Sequence, residues 1–127
     1  MIFAAGLGTR LRPLTDNMPK ALVPVAGKTM LERVILKLKD AGFHDITINI
    51  HHFGSQIIDF LRANQNFGVD IHISDERGEL LDTGGGIKKA RPLLESNEPF
   101  LIHNADILTD LDQVWQTRCI YVSECIS

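Results

Sequence analysis

The sequence predicts an α/β domain built on a largely parallel sheet, and three observations carry that reading. Short apolar or alternating runs at 1–5, 45–50, 69–73 and 100–102 are separated by stretches whose apolar residues recur at helical spacing. Parallel neighbours cannot be joined by a tight turn, and the usual crossover between them is a helix, so strand, helix, strand, helix, strand implies parallel pairing. Glycine-rich or polar segments, Gly6 to Arg12, His51 to Gly54 and Ser74 to Gly86, then follow the first three strands. Those are the strand ends outside which open parallel sheets bind ligands.

Composition bounds the rest. The 127 residues are 44% apolar and 23% charged, enough for one globular domain with a single core. A formal charge of −3 provides no broad cationic surface, which argues against a nucleic-acid partner, whose affinity comes mainly from clustered Lys and Arg. No apolar run approaches the roughly 20 residues that span a bilayer, and the N-terminus lacks a signal peptide's basic region and cleavage site, so no membrane partner and a cytoplasmic location are expected. Cys119 and Cys125 stand close together near the end and suggest neither a disulfide framework nor, as two ligands only, a metal site.

Taken in order, Met1-Ile2-Phe3-Ala4-Ala5 reads as a buried first strand. Leu22-Val23-Pro24-Val25 is a short apolar segment ending in the turn signal Ala26-Gly27. Thr29 stands three residues before Glu32, a capping box. Met30, Leu31, Val34, Ile35, Leu38 and Ala41 then fall on one helical face, Gly42 ends the helix, and Lys37 and Lys39 are expected on its solvated side. Asp45 to Ile50 alternates as a second strand, and a helix from about Ser55 to Arg62 follows with Ile57, Ile58, Phe60 and Leu61 as its apolar set. A polar turn at 64–68 leads into a third strand through Val69, Ile71 and Ile73. Gly84-Gly85-Gly86 open a third helix that includes Lys88, Lys89 and Ala90 and stops near Pro92, and Phe100-Leu101-Ile102 is a fourth strand.

Chemistry concentrates at the strand ends. Ala4-Ala5-Gly6-Leu7-Gly8-Thr9-Arg10-Leu11-Arg12-Pro13-Leu14-Thr15 places two glycines where the chain can turn sharply and present backbone N–H groups, with Arg10, Arg12 and Lys20 close by as phosphate partners. A dinucleotide fingerprint would need Gly or Ala at position 11, which is Leu11, and a P-loop ending in Gly27-Lys28-Thr29 would need glycine at position 22, which is Leu22. The bland alternative is a strand-to-loop turn with solvated basic residues. Around 84–86 three glycines clear a path on which a base or ribose could lie against the main chain, with N–H groups at a helix start; the alternative is a plain flexible loop. His103-Asn104-Ala105-Asp106 follows the fourth strand, where a carboxylate could serve a hard divalent cation or simply begin a turn. Adjacent His51 and His52 point to opposite faces and lack further ligands at useful spacing, which favours structural or solvent-exposed roles over metal binding.

The motif Ala-Ala-Gly-x-Gly-Thr-Arg-Leu-x-Pro-Leu-Thr at 4–15, followed by Pro19-Lys20, resembles the signature of the sugar-1-phosphate nucleotidylyltransferases. Thr83-Gly84-Gly85-Gly86-Ile87 is similar to the base-recognition loop of N-acetylmuramate 1-phosphate uridylyltransferases, and Asn104-Ala105-Asp106 to the family's metal-binding Asn-Gly-Asp, with Ala105 in place of glycine. The resemblance implies a Rossmann-like three-layer α/β/α fold of the nucleotidyltransferase type. It implies transfer of a nucleoside monophosphate from a nucleoside triphosphate to a sugar 1-phosphate, with release of pyrophosphate. The partners would then be those two substrates and the cofactor Mg²⁺. Ala4, Ala5 and Gly6 would hold the base together with Thr83, Gly84 and Gly85. Gly8, Thr9 and Asn104 would complete the nucleotide site, Arg10 would meet the leaving phosphates, Lys20 the α-phosphate, and Asp106 the metal.

The resemblance covers residues 1–112, the nucleotide-binding half of the domain, while 113–127 carry no family motif. Family domains continue for roughly another hundred residues, within the usual range of a single α/β domain. The missing half would hold most of the sugar surface and a second metal-binding Asp. The chain therefore reads as cut short, with two functional expectations: an enzyme using UTP, or next GTP, and a nucleotide-binding or regulatory module without turnover. A sheet cut at this point would expose an edge and apolar surface, giving self-association or marginal stability.

Overall fold

A computed structural model describes residues 1–95 and 100–105. The first strand, β1, is Ile2–Phe3, shorter than the apolar run at 1–5, because the Ala4 N–H leaves the ladder and donates to Asn49 Oδ1 at 2.7 Å. Single 3₁₀ turns at Thr9–Leu11 and Lys20–Leu22 follow. The segment expected to end at Ala26-Gly27 is one arm of a small antiparallel hairpin, β2 (Pro24–Val25) with β3 (Lys28–Thr29). Its two turn residues, Ala26 (φ 50°) and Gly27 (φ 84°), are both left-handed, as a two-residue hairpin requires.

Helix α1, Met30–Asp40, begins on the expected cap: Thr29 Oγ1 accepts from Glu32 N at 3.1 Å. Leu31, Val34, Ile35 and Leu38 are buried, and Gly42 (φ 95°) takes the left-handed conformation just beyond the end. Thr29→Ala is expected to cost about 1 kcal/mol of stability, read as a lowered thermal midpoint; an unchanged midpoint would show that the cap contributes nothing. The two lysines are not simply solvated. Lys39 Nζ donates to Phe67 O at 2.9 Å, and Lys37 Nζ is buried with no hydrogen-bond partner among the described residues.

Strand β4, Asp45–Ile50, is buried at every position from Ile46 onward, the mark of a strand covered on both faces. Helix α2 runs Gly54–Ala63, and the polar stretch after it holds a 3₁₀ turn at Gln65–Gly68. Strand β5 is Asp70–Asp75. Helix α3, Thr83–Leu94, continues past Pro92 instead of stopping there, and Glu95 N closes its last turn on Arg91 O at 2.9 Å. The fourth strand of the sheet, β6, is His103–Asn104 rather than 100–102. Its register explains the shift: β1 offers Ile2 and Phe3, which pair with His103 and Asn104, so 100–102 lie before the ladder.

The sheet order is β5-β4-β1-β6, parallel throughout the described residues. Ile2, Ile46, Ile48 and Ile50 pack with the apolar stripes of α1 and α2 into the core. Helix α3 packs on β4 and β5, and its Gly86 lies over Phe3 and Asn49. The result is the expected three-layer α/β/α arrangement. The chain passes from β1 outward through β4 to β5 and then returns to the far side of β1 for β6, so the strand order reverses at β1. A crevice opens where neighbouring crossovers leave on opposite faces, and that places the site.

Candidate functional site

A cavity of about 360 Å³ lies at the carboxyl ends of β1, β4 and β6. Phe3, Ala4, Ala5 and Gly6 form one side, Leu80 to Thr83 another, and Lys20, Ala21, Asn49, Asn104 and Ala105 complete the lining. The loop after β1 is braced from below. Gly8 is left-handed (φ 65°), and its carbonyl accepts from Thr15 Oγ1 at 2.7 Å and from Leu11 N at 3.0 Å. Thr15 is 3% exposed and Pro19 fully buried, so the chain arrives at Lys20 from a fixed base. Arg10 and Arg12 stay on the exposed surface of the loop, Arg12 3.6 Å from Asp16.

The second glycine segment differs from the expected row of open N–H groups. Asp82 caps α3: its Oδ1 accepts from Gly85 N at 2.7 Å, and its carbonyl accepts from Gly86 N at 2.8 Å. A carboxylate at the helix start already uses the positive end of the helix dipole. Gly86 serves close approach instead: a Cβ there would stand 2.9 Å from Glu76 Oε1 and 3.2 Å from Phe3 Cε1.

Beneath the cavity a buried polar network joins both sides. Ala4 N donates to Asn49 Oδ1, Asn49 Nδ2 donates to Glu76 Oε1 at 2.9 Å, and Leu81 N donates to Glu76 Oε2 at 3.4 Å. His51 Nδ1 lies 2.6 Å from the Glu76 carbonyl oxygen, so Nδ1 carries the proton and the ring fixes the chain just after β5, while His52 is exposed. Next to it Arg77 donates to Ser55 Oγ and to both carboxylate oxygens of Asp75, and the bonds to Asp75 hold its carboxyl below the ordinary range.

Of the residues singled out from sequence, the structure brings Ala4, Ala5, Gly6, Lys20, Thr83 and Asn104 to one cavity. Gly8, Thr9 and Arg10 shape the adjoining turn without lining it, and Gly84 and Gly85 lie inside the first turn of α3. Asp106 lies outside the described residues, as do Cys119, Cys125 and the segment 113–127. Among the described residues no group of three or more His, Cys, Asp or Glu could hold a metal ion, and no helix is long and apolar enough to cross a membrane. Sequence reasoning missed Asn49 and Glu76. Their signal was an amide inside the run Ile-Asn-Ile and a carboxylate directly after β5, both at positions where a covered strand needs a partner for any polar group.

A parallel sheet whose reversal point opens onto a glycine loop defines a Rossmann-like α/β protein. The chain belongs to the nucleotidyl transferase family, whose model, described as Nucleotidyl transferase, matches residues 1–117. It is 49% identical over 112 residues to an N-acetylmuramate alpha-1-phosphate uridylyltransferase of Neisseria meningitidis serogroup B, covering 88% of this chain and 48% of the relative. A mannose-1-phosphate guanyltransferase of Gibberella zeae is 39% identical over 112 residues, covering 87% of this chain and 30% of the relative. Among solved structures, HddC from Yersinia pseudotuberculosis complexed with GMP-PN superposes with a TM-score of 0.77 at 33% identity, over 87% of this chain and 48% of that one. The chain thus spans about half the length, or less, of the relatives it matches.

Proposed function

We propose that this chain is the nucleotide-binding half, over residues 1–112, of a sugar-1-phosphate nucleotidylyltransferase that takes UTP, with GTP as the next choice. The observation that carries the reading is the convergence of Ala4 to Gly6, Lys20 and Thr83 on one cavity at the sheet's reversal point. UTP is favoured because the uridylyltransferase relative shares nearly half of its residues with this chain over the matched stretch, and GTP follows from the guanyltransferase relative and the GMP-PN complex.

In this reading the base lies between Ala4 to Gly6 and the segment Thr83 to Gly85, where small residues leave the main chain open to a flat ring. The triphosphate runs along Gly8 and Thr9 toward Arg10, whose guanidinium meets the leaving phosphates. Lys20 neutralises charge that develops on the α-phosphate as a sugar 1-phosphate oxygen attacks in line, and pyrophosphate departs. No covalent intermediate on the protein is needed, so the chain contributes position and charge. Mg²⁺ on Asp106 belongs to the same proposal, since the two residues before it, Asn104 and Ala105, line the cavity; when bound, the ion would neutralise phosphate charge. A cytoplasmic setting would supply both substrates.

The test is a screen of nucleoside triphosphates against sugar 1-phosphates, read as pyrophosphate release and, in parallel, as nucleotide binding by calorimetry. Release with UTP and a sugar 1-phosphate is expected. Binding without release from any pair would favour a nucleotide-binding module, and neither would overturn the reading. Arg10→Ala is expected to weaken nucleotide binding by about 1.5–3 kcal/mol, the worth of a hydrogen bond to a charged partner. Equal affinities would place the phosphates elsewhere.

A further inference from the structure

Glu76 is a carboxylate with 0% exposure that does not line the cavity, and the side chain and main-chain group that donate to it are both neutral. Its two oxygens each accept from a different part of the fold. Oε1 takes the Asn49 amide and Oε2 the Leu81 main-chain N–H, while the other end of the Asn49 side chain takes the Ala4 N–H. Ala4 and Leu81 stand in the two segments that form opposite sides of the cavity. They are 77 residues apart in sequence, and this relay of side chains joins one to the other.

We propose that Asn49 and Glu76 are positioning residues that hold the two sides of the cavity at the spacing a nucleotide base requires. The proposal rests on the nucleotide reading of the cavity. The donor and acceptor pattern sets two main-chain donors at the ends and is satisfied by one amide and one carboxylate between them. Glutamine at position 76 would put an NH₂ against a donor whichever way either amide is turned. Aspartate at position 49 would put carboxylate oxygens against carboxylate oxygens, a contact relieved only by taking up a proton. Exchanging both restores the pattern: the carboxylate now at position 49 accepts from Ala4 N and from the amide NH₂ now at position 76, whose carbonyl accepts from Leu81 N. A buried network that is partly satisfied is worse than one left whole, so each single change should push the two sides into arrangements that do not bind.

The experiment is a swap: Glu76→Gln, Asn49→Asp and the two together, with nucleotide affinity measured by titration with UTP and GTP and with amide hydrogen exchange at Ala4 and Leu81. Each single variant is expected to raise the nucleotide Kd about tenfold or more, because the competent arrangement becomes a minor population. The double variant should return to within about threefold of the wild type, a coupling that only contacting residues show. Exchange at Ala4 and Leu81 should speed up in both singles and slow again in the double. Singles that bind like wild type, or a double as impaired as the singles combined, would overturn the relay. If the wild type binds no nucleoside triphosphate the nucleotide reading falls, and the exchange pattern still decides the relay. If the singles do not fold, recovery of folding in the double supports the relay, and a double that stays unfolded overturns it.

Discussion

Lys20→Ala is expected to lower turnover to pyrophosphate by about 10²–10³-fold, the usual cost of removing one preorganised group from a site where charge develops. Lys20 lines the cavity at the start of a 3₁₀ turn whose entry is the buried Pro19, and Leu22 N and Val23 N close that turn on Pro19 O at 3.0 Å and Lys20 O at 3.1 Å. The main chain of this turn is therefore held by its own hydrogen bonds. On the proposed transferase reading the effect should fall mainly on kcat, because Lys20 would act on charge that appears during the transfer, with KM for the nucleotide changing less. Lys20→Arg should recover only part of the loss, since a planar guanidinium does not reproduce a compact ammonium. A loss of less than threefold in the alanine variant would remove Lys20 from the reacting phosphates.

Gly86→Ala is expected to destabilise the fold by about 1–3 kcal/mol, the range for inserting atoms into a packed interior. The new Cβ would stand 2.9 Å from Glu76 Oε1, 3.2 Å from Phe3 Cε1 and 3.4 Å from Asn49 Nδ2. The nearest of these cannot swing away cheaply, because Glu76 and Asn49 are tied to each other in the buried relay. For a chain of 127 residues each kcal/mol corresponds to a midpoint shift of about 3–6 °C, easily read by thermal unfolding. Gly6→Ala is the matched control, because a Cβ there meets nothing within 4 Å, and it should stay within about 0.5 kcal/mol. Equal midpoints for both variants would show that α3 can move off the sheet freely.

The elements most legible in the sequence were those whose signal is local. Thr29 and Glu32 announced the start of α1, the spacing of Leu31, Val34, Ile35 and Leu38 its buried face, and Gly42 its end, since caps and periodicity act within a turn or two of the chain. The alternation of 45–50 marked β4, and the order of strands and helices implied the parallel sheet. Less legible were positions that depend on a distant partner. The fourth strand was expected at 100–102 and pairs at 103–104, because register is set by Ile2 and Phe3 about a hundred residues away. The glycines at 84–86 were expected to open a helix with exposed N–H groups. Their neighbours show a capped turn and a close packing contact instead.

By itself, then, the chain determined its family and its fold class, because the motif at 4–20 and the alternation of strand and helix patterns are properties of neighbouring residues. Only the tertiary structure decided which of the marked residues share one cavity and which stand beside it: Ala4, Lys20, Thr83 and Asn104 converge, while Gly8 and Arg10 do not line it. It also decided which groups Asn49 and Glu76 join. A buried amide and a buried carboxylate must be satisfied by whatever donors the fold brings to them, and those donors, Ala4 N and Leu81 N, come from segments that meet only once the sheet and α3 have packed.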